Sequence, residues 1–449
     1  MDRAHLHWLT ATEAARLMAD GALSSEDYVR ACIERIDAVE GQVQAWTFLD
    51  REFALHQARE ADMQRAQGRP CGPLHGVPVG LKDIIDTQSM PTEDGTVLHA
   101  GRQPGADAAV VRLLQAAGAV IMGKTVTTEL ATYAPGKTRN PHNPAHTPGG
   151  SSSGSAAAVA AGMVPIAIGT QTNGSVIRPA SFCGVFGFKP TFGSIPRTGV
   201  LTQSPPLDQI GVFGRSVADI ALAAELAHGH DEDDRATRVS ARPPLLRVAT
   251  SEPPLPPKLA AVRTPFWGEI DADARAAFDE LVDFLGDRAQ PFDLPDTARQ
   301  AIEWHRTIME ADLAASFEVE YEKGRDQLSA SLRGQIERGR QVSAVEYRKA
   351  VARIDVLNAG FGPLFDEVDA IMTPATLGTA PAGLGSTGNP LLCTLWTLTG
   401  MPAVSVPVLH GENGLPIGVQ LVAARGDDAR LLRIAGWLSN HVNKAGGAA

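Results

Sequence analysis

Two clusters of glycine and serine lie in the first half of the sequence and could carry chemistry. The first, residues 149–155, reads GGSSSGS, and the second, residues 169–175, reads GTQTNGS. Glycine allows positive φ angles and close approach of the backbone, so such loops can direct several N–H groups at one ligand. A flexible linker has a similar composition, but a run rich in alanine and valine separates these clusters. The pattern predicts two functional loops within the protein core.

A serine hydroxyl needs a base before it can act as a nucleophile, and a buried lysine is one candidate for that base. Lys82 ends an apolar segment and is flanked by Leu81 and Ile84. Burial disfavours the ammonium form and lowers the pKa of a lysine from about 10.4 toward neutrality. In this scheme Lys82 takes the proton, while one of Ser151 and Ser175 acts as the nucleophile and the other as the proton relay.

Two other schemes use different residues. Residues 150–154 fit the GxSxG pattern of serine hydrolases, which would make Ser152 the nucleophile and His410 or His441 the base. The pattern arises readily in any glycine–serine run, and His410 has no obvious acidic partner. Three close pairs of histidines lack the HExxH-type spacing of a metal site, so we expect no metal. These pairs are His5/His7, His142/His146 and His228/His230.

Residues 118–125 match the P-loop pattern GxxxxGK[ST] letter for letter. In a P-loop, a strand precedes a loop whose free N–H groups surround the phosphates. Here the residues between the two glycines are themselves an apolar strand, so their N–H groups belong to the sheet. We therefore expect no nucleotide site at this position.

The chain resembles the amidase signature family. The segments that carry the resemblance are residues 72–83 (GPLHGVPVGLKD), 148–152 (PGGSS), 174–175 (GS) and 179–191 (PASFCGVFGFKPT). The match is dense from about residue 70 to 220 and almost absent from about 250 to 360. The resemblance implies that Lys82 is the base, Ser151 the relay serine on a cis peptide bond, and Ser175 the acylated nucleophile.

The resemblance also implies an oxyanion hole made of backbone N–H groups, and no cofactor. The residues of the oxyanion hole would be Thr172, Asn173, Gly174 and Ser175, and our candidate substrate-binding residues are Gly149, Gly150, Tyr133 and Trp304. Trp304 lies with His305 and Met309 in a helical segment, where ordinary helix packing is the simpler explanation of the trio.

The second cluster departs from the usual family pattern, which reads GTDTGGSIR. Gln171 replaces the acid, Asn173 replaces a glycine, and the arginine moves by one position to Arg178. In the first cluster, Ser153 replaces a glycine. Both serines and the lysine remain, so the replacements mark where this site should differ in packing from its relatives.

The elements that position these residues alternate between helices and short apolar strands. We expect helices at 10–20, 25–36, 51–66, 108–117, 216–227, 271–285, 296–360 and 427–437, and strands at 74–86, 119–122, 245–250, 369–374 (a strand and turn), 396–406 and 417–422. This alternation predicts an α/β protein. The resemblance implies a single α/β/α unit with a large, mixed, twisted β-sheet that helices cover on both faces.

We expect one amidase domain over residues 1–449. Its parts are an N-terminal helical layer (1–68), the signature core (70–220), a variable and mostly helical segment that shapes the substrate pocket (250–360), and C-terminal strands and a helix that complete the sheet (361–449).

The composition argues against several classes of protein. The net charge of −11 argues against binding to nucleic acid or to an anionic membrane surface. No apolar run reaches the roughly 18 residues of a membrane span, and the N-terminus lacks an apolar signal segment. The four cysteines are far apart and indicate thiols in a reducing compartment. We expect a cytoplasmic monomer or homodimer.

These observations predict a serine amidohydrolase that forms an acyl-enzyme. Its expected substrates are small to medium neutral or aryl amides, with esters and carbamates (urethanes) as further candidates. A neutral acyl group is expected because the sequence shows no cation cluster to hold a charged one. One alternative is the amidase subunit of a tRNA-dependent amidotransferase complex, with glutamine as ammonia donor. Another is a binding protein on the same scaffold, because Asn173 is unusual.

Overall fold

A mixed β-sheet of eleven strands runs through residues 3–446, the part of the chain that the computed structural model describes. The strands are β1 (Trp46–Leu49), β2 (Pro78–Lys82), β3 (Val120–Thr125), β4 (Ile166–Gln171), β5 (Phe186–Lys189), β6 (Gln209–Gly214), β7 (Leu259–Arg263), β8 (Ala289–Asp293), β9 (Ala370–Pro374), β10 (Ala403–His410) and β11 (Pro416–Val422).

Fifteen α-helices surround this sheet in the same described range. They are α1 (Ala11–Ala19), α2 (Ser25–Val43), α3 (Arg51–Ala66), α4 (Ala109–Ala116), α5 (Ser153–Ala160), α6 (Ile177–Cys183), α7 (Val217–Ala227), α8 (Leu245–Ala249), α9 (Ala272–Leu285), α10 (Gln300–Ser316), α11 (Glu318–Gly324), α12 (Ala330–Gly339), α13 (Ala344–Glu367), α14 (Leu391–Leu398) and α15 (Asp428–Gly446). None of the helices within residues 3–446 has the length and apolar character needed to cross a bilayer.

The order of the strands in the sheet is β1-β3-β2-β4-β6-β5-β10-β11-β9-β7-β8. Parallel pairs join β2 to both β3 and β4, and join β7 to both β8 and β9. The remaining neighbours are antiparallel. The predicted α/β fold with a large mixed sheet is therefore confirmed.

Helices cover both faces of the sheet because its strands are apolar on both sides. Ile121 of β3 and Ile166 of β4 pack in a core cluster with α4, α7, α9 and α15. Val120 and Ala167, their neighbours along the same strands, pack instead with α1, α2, α3 and α5. Successive side chains of a strand point to opposite faces, so these two clusters lie on opposite sides of the sheet.

Two expected strands are wrong in part or whole. The segment 245–250 is the short helix α8, because two prolines precede it and Leu245 and Ala249 are both buried on one helical face. The segment 396–406 contains the end of helix α14, a turn, and the first part of β10. Trp396 belongs to a helix that is apolar all round, and periodicity alone cannot distinguish such a helix from a buried strand.

The sheet also takes strands from segments that were expected to be mainly helical. β1 comes from the N-terminal layer and pairs with β3 at one edge of the sheet. β7 and β8 come from the segment 250–360 and form the opposite edge. The C-terminal strands β9, β10 and β11 therefore lie inside the sheet and do not close its edge.

Candidate active site

Lys82 lies at the carboxyl end of β2 and is completely buried. Its Nζ atom is 2.7 Å from Ser151 Oγ and 2.7 Å from Thr170 Oγ1. Burial lowers the pKa of Lys82 well below its ordinary value, while the negative charge of Asp208 acts in the opposite direction. The lysine is therefore fixed between two hydroxyl groups and is disposed to lose its proton.

The register of two parallel strands explains this contact. Leu81 of β2 pairs with Ile168 of β4, so both strands end at the same edge of the sheet. Thr170 lies near the end of β4 and receives a hydrogen bond from Lys82. The second glycine–serine loop, which begins as β4 ends, is thereby placed beside the lysine.

The first glycine–serine loop delivers Ser151 to the same place. The peptide bond between Gly150 and Ser151 is cis, and Gly149 has a φ of 83°. A Cβ atom on Gly149 would lie 2.8 Å from the Cα atom of Pro179, so a side chain does not fit at this position. The backbone of this loop thus packs directly against α6, the helix that follows the second loop.

Gln171 holds the second loop in its shape. The side-chain carbonyl of Gln171 accepts hydrogen bonds from the backbone N–H groups of Val176 (2.8 Å) and Ile177 (3.0 Å). Its amide group donates to Thr397 Oγ1 at 2.9 Å. The neutral glutamine therefore satisfies two buried backbone N–H groups at the start of the helix that follows Ser175, without placing a charge in the core.

Asn173 connects the second loop to two neighbouring elements. Its Nδ2 donates to the Tyr133 hydroxyl at 3.0 Å, and its Oδ1 accepts from Thr394 Oγ1 at 2.7 Å. Thr397 donates to the backbone carbonyl of Asn173. Asn173 and Tyr133 line a cavity of about 300 Å³ together with Met309 and residues of α12 and α14. Tyr133, a candidate substrate-binding residue, is thus brought to the loop.

Ser175 lies between Gly174 and the start of α6, and it is 9% exposed. Within residues 3–446 its hydroxyl has no hydrogen-bond partner, unlike that of Ser151. A Cβ atom on Gly174 would lie 2.9 Å from Pro390, so glycine is needed for the close approach of α14. A partly accessible serine with an uncommitted hydroxyl is suited to meet a substrate.

Ser152 and the late histidines occupy other places. Ser152 Oγ donates to the carbonyl of Thr170 and accepts from its N–H, both at 3.2 Å, so it links the first loop to β4. His410 is exposed at the end of β10, and the ring of His441 stacks on Trp437 with centroids 5.0 Å apart. The structure does not bring these residues into a Ser-His-acid arrangement.

Trp304 lies outside the neighbourhood of the two loops. The Arg353 guanidinium lies over its ring at 5.2 Å, and Trp304 lines a separate surface cavity with residues of α12 and α13. His305 and Met309, on the other side of the same helix, line the cavity that contains Asn173. The trio in α10 is therefore divided between two faces.

Asp208 and His305 contact the second loop and were not identified as site residues from the sequence. Asp208 accepts from the N–H groups of Gln203 (2.8 Å) and Ser204 (2.9 Å), and its Oδ1 lies 2.6 Å from Thr172 Oγ1. His305 Nε2 lies 2.8 Å from the carbonyl of Thr172, and burial lowers the pKa of this histidine to about 4. The one feature of the sequence that could have indicated Asp208 is the position of this acidic residue directly before the buried strand β6.

Residues 120–125 of the P-loop-like segment form the strand β3, so a strand lies where the pattern would need a phosphate-binding loop. Lys124 is completely buried and donates to Thr92 Oγ1 at 2.6 Å. In the described part of the chain, no group of three or more His, Cys, Asp or Glu side chains is arranged to hold a metal ion.

Comparison with known proteins identifies relatives over almost the whole chain. The family model described as Amidase matches residues 27–432. The A subunit of the glutamyl-tRNA(Gln) amidotransferase of Chloroflexus aurantiacus (strain ATCC 29366 / DSM 635 / J-10-fl) is 34% identical over 471 residues, which cover 96% of each chain.

Solved structures of similar fold identify relatives of the same kind. Native peptide amidase from Stenotrophomonas maltophilia superposes with a TM-score of 0.80 at 27% identity and covers 97% of both chains. A chain of a "vestigial protein complex" that "reveals the evolutionary origins of an s-triazine catabolic enzyme" superposes with a TM-score of 0.89 at 30% identity, and covers 98% of this chain and 99% of that one. This chain therefore belongs to the amidase signature family and is an enzyme that acts on carbon–nitrogen bonds.

Proposed function

We propose that the chain hydrolyses amides through an acyl-enzyme on Ser175, with Ser151 as proton relay and Lys82 as base. The observation that carries this proposal is the buried contact of 2.7 Å between Lys82 Nζ and Ser151 Oγ. A lysine with a lowered pKa next to a hydroxyl group can take a proton at neutral pH. Ser175, whose hydroxyl has no hydrogen-bond partner within residues 3–446, lies in the adjoining loop.

In this mechanism, Ser175 Oγ attacks the carbonyl carbon of the amide, and its proton passes through Ser151 to neutral Lys82. The backbone N–H groups of the loop 172–175 stabilise the negative charge that develops on the carbonyl oxygen. The protonated lysine then returns the proton through Ser151 to the leaving amine, and the carbon–nitrogen bond breaks. A water molecule repeats the route in the second half and releases the acid.

The substrates proposed for this site are small to medium amides, with esters and carbamates as further candidates. Residues of the second loop contribute to the lining of two cavities, of about 310 and 300 Å³. Thr172 lines the first cavity and Asn173 lines the second. Volumes of this size fit small ligands and do not fit a folded macromolecule.

A second candidate function is that of the amidase subunit of an amidotransferase, which uses the same chemistry within a complex. Several curated relatives carry the name of that subunit, and the similarity to the one from Chloroflexus aurantiacus covers 96% of this chain. These names favour the second function over a stand-alone amidase. The structural neighbours, which include a peptide amidase, favour the first.

Ammonia release from a panel of substrates tests the two functions. The purified chain is incubated with small amides, with aryl amides, and with glutamine. Turnover of small or aryl amides by the chain alone supports a stand-alone amidase. Gel filtration of the natural extract recovers any protein partners of the chain. If glutamine is turned over only when these partners are present, the result supports the amidotransferase function. No turnover of any amide, alone or with partners, would contradict both.

A further inference from the structure

The guanidinium of Arg178 is buried beside the two loops and has no carboxylate partner. The residue is 1% exposed. Its Nη2 donates to the carbonyl of Gly150 at 2.7 Å and to Thr387 Oγ1 at 3.1 Å. Across residues 3–446, its Nε and Nη1 atoms have no hydrogen-bond partner, and no ion pair includes Arg178. Two buried N–H-bearing nitrogens of a cation are therefore unused.

Two other buried cations of the core lie near acids, which makes Arg178 different. The negative charge of Asp83 acts on Lys124, and that of Asp428 acts on Lys189. An arginine keeps its charge even when burial lowers its pKa. Burial of a charge is costly unless an opposite charge and hydrogen bonds compensate it. Arg178 thus lacks an anionic partner that would compensate its buried charge.

The position of Arg178 indicates where that anion would lie. The carbonyl that Arg178 binds belongs to the cis peptide bond that precedes Ser151. Arg178 itself is on α6, three residues after Ser175, and its side chain contacts the first loop at Gly150. An anion beside Arg178 would therefore lie close to both loops. The charge of Arg178 also acts on the Tyr133 hydroxyl, which lines the cavity of about 300 Å³.

We propose that Arg178 binds a carboxylate on the acyl part of the substrate, so that the enzyme acts on short amides whose acyl group carries a free carboxylate. This inference rests on the proposed function and specifies its substrate class. It replaces the expectation of a neutral acyl group, which assumed that the site has no cation. Monoamides of short dicarboxylic acids belong to the class, and so does glutamine, the ammonia donor of the second candidate function.

A comparison of matched substrates tests the inference in the intact enzyme. Succinamic acid carries a carboxylate, and butanamide is an uncharged amide of the same chain length. We expect kcat/KM for succinamic acid to exceed that for butanamide by about 100-fold, the range of a charge-assisted hydrogen bond. Equal values for the two amides would overturn the inference.

Variants of Arg178 assign the preference to this residue. In Arg178→Met, which has a similar volume and no charge, we expect the ratio of kcat/KM for succinamic acid to that for butanamide to fall to about one, whatever the loss of the bond to Gly150 does to both values. Arg178→Lys keeps the charge and should retain part of the preference. If glutamine is the preferred substrate, Arg178→Met should lower its turnover to a similar extent. Equal losses for charged and uncharged amides in Arg178→Met would contradict a role in binding the carboxylate.

A binding measurement separates this inference from the proposed hydrolysis. Ser175→Ala is heated with succinate, and with sodium chloride at the same ionic strength as control. We expect succinate to raise the unfolding temperature of Ser175→Ala and to leave the double variant Ser175→Ala/Arg178→Met unchanged. Protection by succinate in a chain that hydrolyses no amide would contradict only the proposed function. Amide hydrolysis without protection would contradict only the carboxylate site. If Arg178→Met does not fold, two measurements still test the inference. They are the comparison of succinamic acid with butanamide in the wild-type enzyme and the protection of Ser175→Ala by succinate.

Discussion

Lys82 Nζ and Ser151 Oγ lie 2.7 Å apart, although 69 residues separate them in the sequence. The parallel pairing of β2 with β4 and the packing of the first loop against α6 produce this contact. Both groups are buried, so in the proposed mechanism the lysine exchanges its proton with the serine rather than with bulk water. Substitutions at this pair and in the loops around it should therefore have distinct effects on catalysis and on stability.

Replacement of the base should abolish most of the activity. We expect Lys82→Met to lower kcat about 10²- to 10⁴-fold at neutral pH, the usual contribution of a general base. Lys189→Met is the matched control, because Lys189 is an equally buried lysine that binds Gln209 and lies outside the two loops. The control should lose stability and keep its turnover per folded molecule. Near-wild-type turnover of Lys82→Met would refute the assignment of the base.

The pH dependence should report the lowered pKa of Lys82. Neutral lysine is the active form, so kcat/KM should rise with pH through a pKa well below 10.5. Between that pKa and 10.5 the unfolded chain binds more protons at this lysine, so its contribution to stability also rises with pH. Asp208→Asn removes a charge that raises the pKa of Lys82, and should move the acid limb to lower pH. A shift to higher pH would show that Asp208 does not act in this way.

The two adjacent serines of the first loop should behave differently. Ser151→Ala removes the relay and should lower kcat/KM by about 10²-fold or more. Ser152→Ala removes two hydrogen bonds to Thr170 and should lower the free energy of unfolding by about 1–3 kcal/mol, with a loss of kcat/KM of roughly tenfold at most. Steady-state kinetics and denaturant unfolding of both variants check this. A larger kinetic loss in Ser152→Ala than in Ser151→Ala would favour the GxSxG scheme.

Gln171 should matter for stability. In Gln171→Ala, the backbone N–H groups of Val176 and Ile177 lose their acceptor in a buried place. We expect the free energy of unfolding, measured by denaturant titration, to fall by about 2–4 kcal/mol. Gln171→Glu keeps an acceptor oxygen for both N–H groups and serves as comparison. Unchanged stability of Gln171→Ala would mean that these N–H groups find other partners.

Asn173 should position the oxyanion loop. Asn173→Gly removes the bonds to Tyr133 and Thr394 and adds backbone freedom to the loop. We expect kcat to fall about tenfold with a smaller change in KM, since the N–H groups that stabilise the transition state are held less firmly. Tyr133→Phe removes only one of the two bonds and should show a smaller loss. A pure KM effect in both variants would instead make Asn173 a substrate contact.

Much of the site could be predicted from the sequence because its residues lie in local patterns. Lys82 ends an apolar segment, and both serines lie in loops with unusual glycine content. Arg178 is different. The sequence shows that this residue is a cation. The absence of a carboxylate beside its side chain depends on how the core packs, and no local sequence pattern predicts it. The same holds for His305, which reaches Thr172 from a segment 133 residues away in sequence.

Some elements of the fold could not be predicted from the sequence. Periodicity cannot separate a helix that is buried all round, such as α14, from a buried strand. The strand β1 has only four residues and pairs with a strand that is distant in sequence. Its own residues are therefore too few to predict a strand. The edge strands β7 and β8 come from a segment that has almost no resemblance to the family pattern.

The acyl-enzyme on Ser175 is the central claim, and mass spectrometry of a trapped adduct tests it most directly. The folded chain is treated with a fluorophosphonate, digested, and analysed beside Ser175→Ala. We predict one adduct, on the peptide that contains Ser175, and none in the variant, which should also lose amide hydrolysis. An adduct on Ser151 or Ser152 in the wild-type chain, or hydrolysis that persists in Ser175→Ala, would contradict the claim.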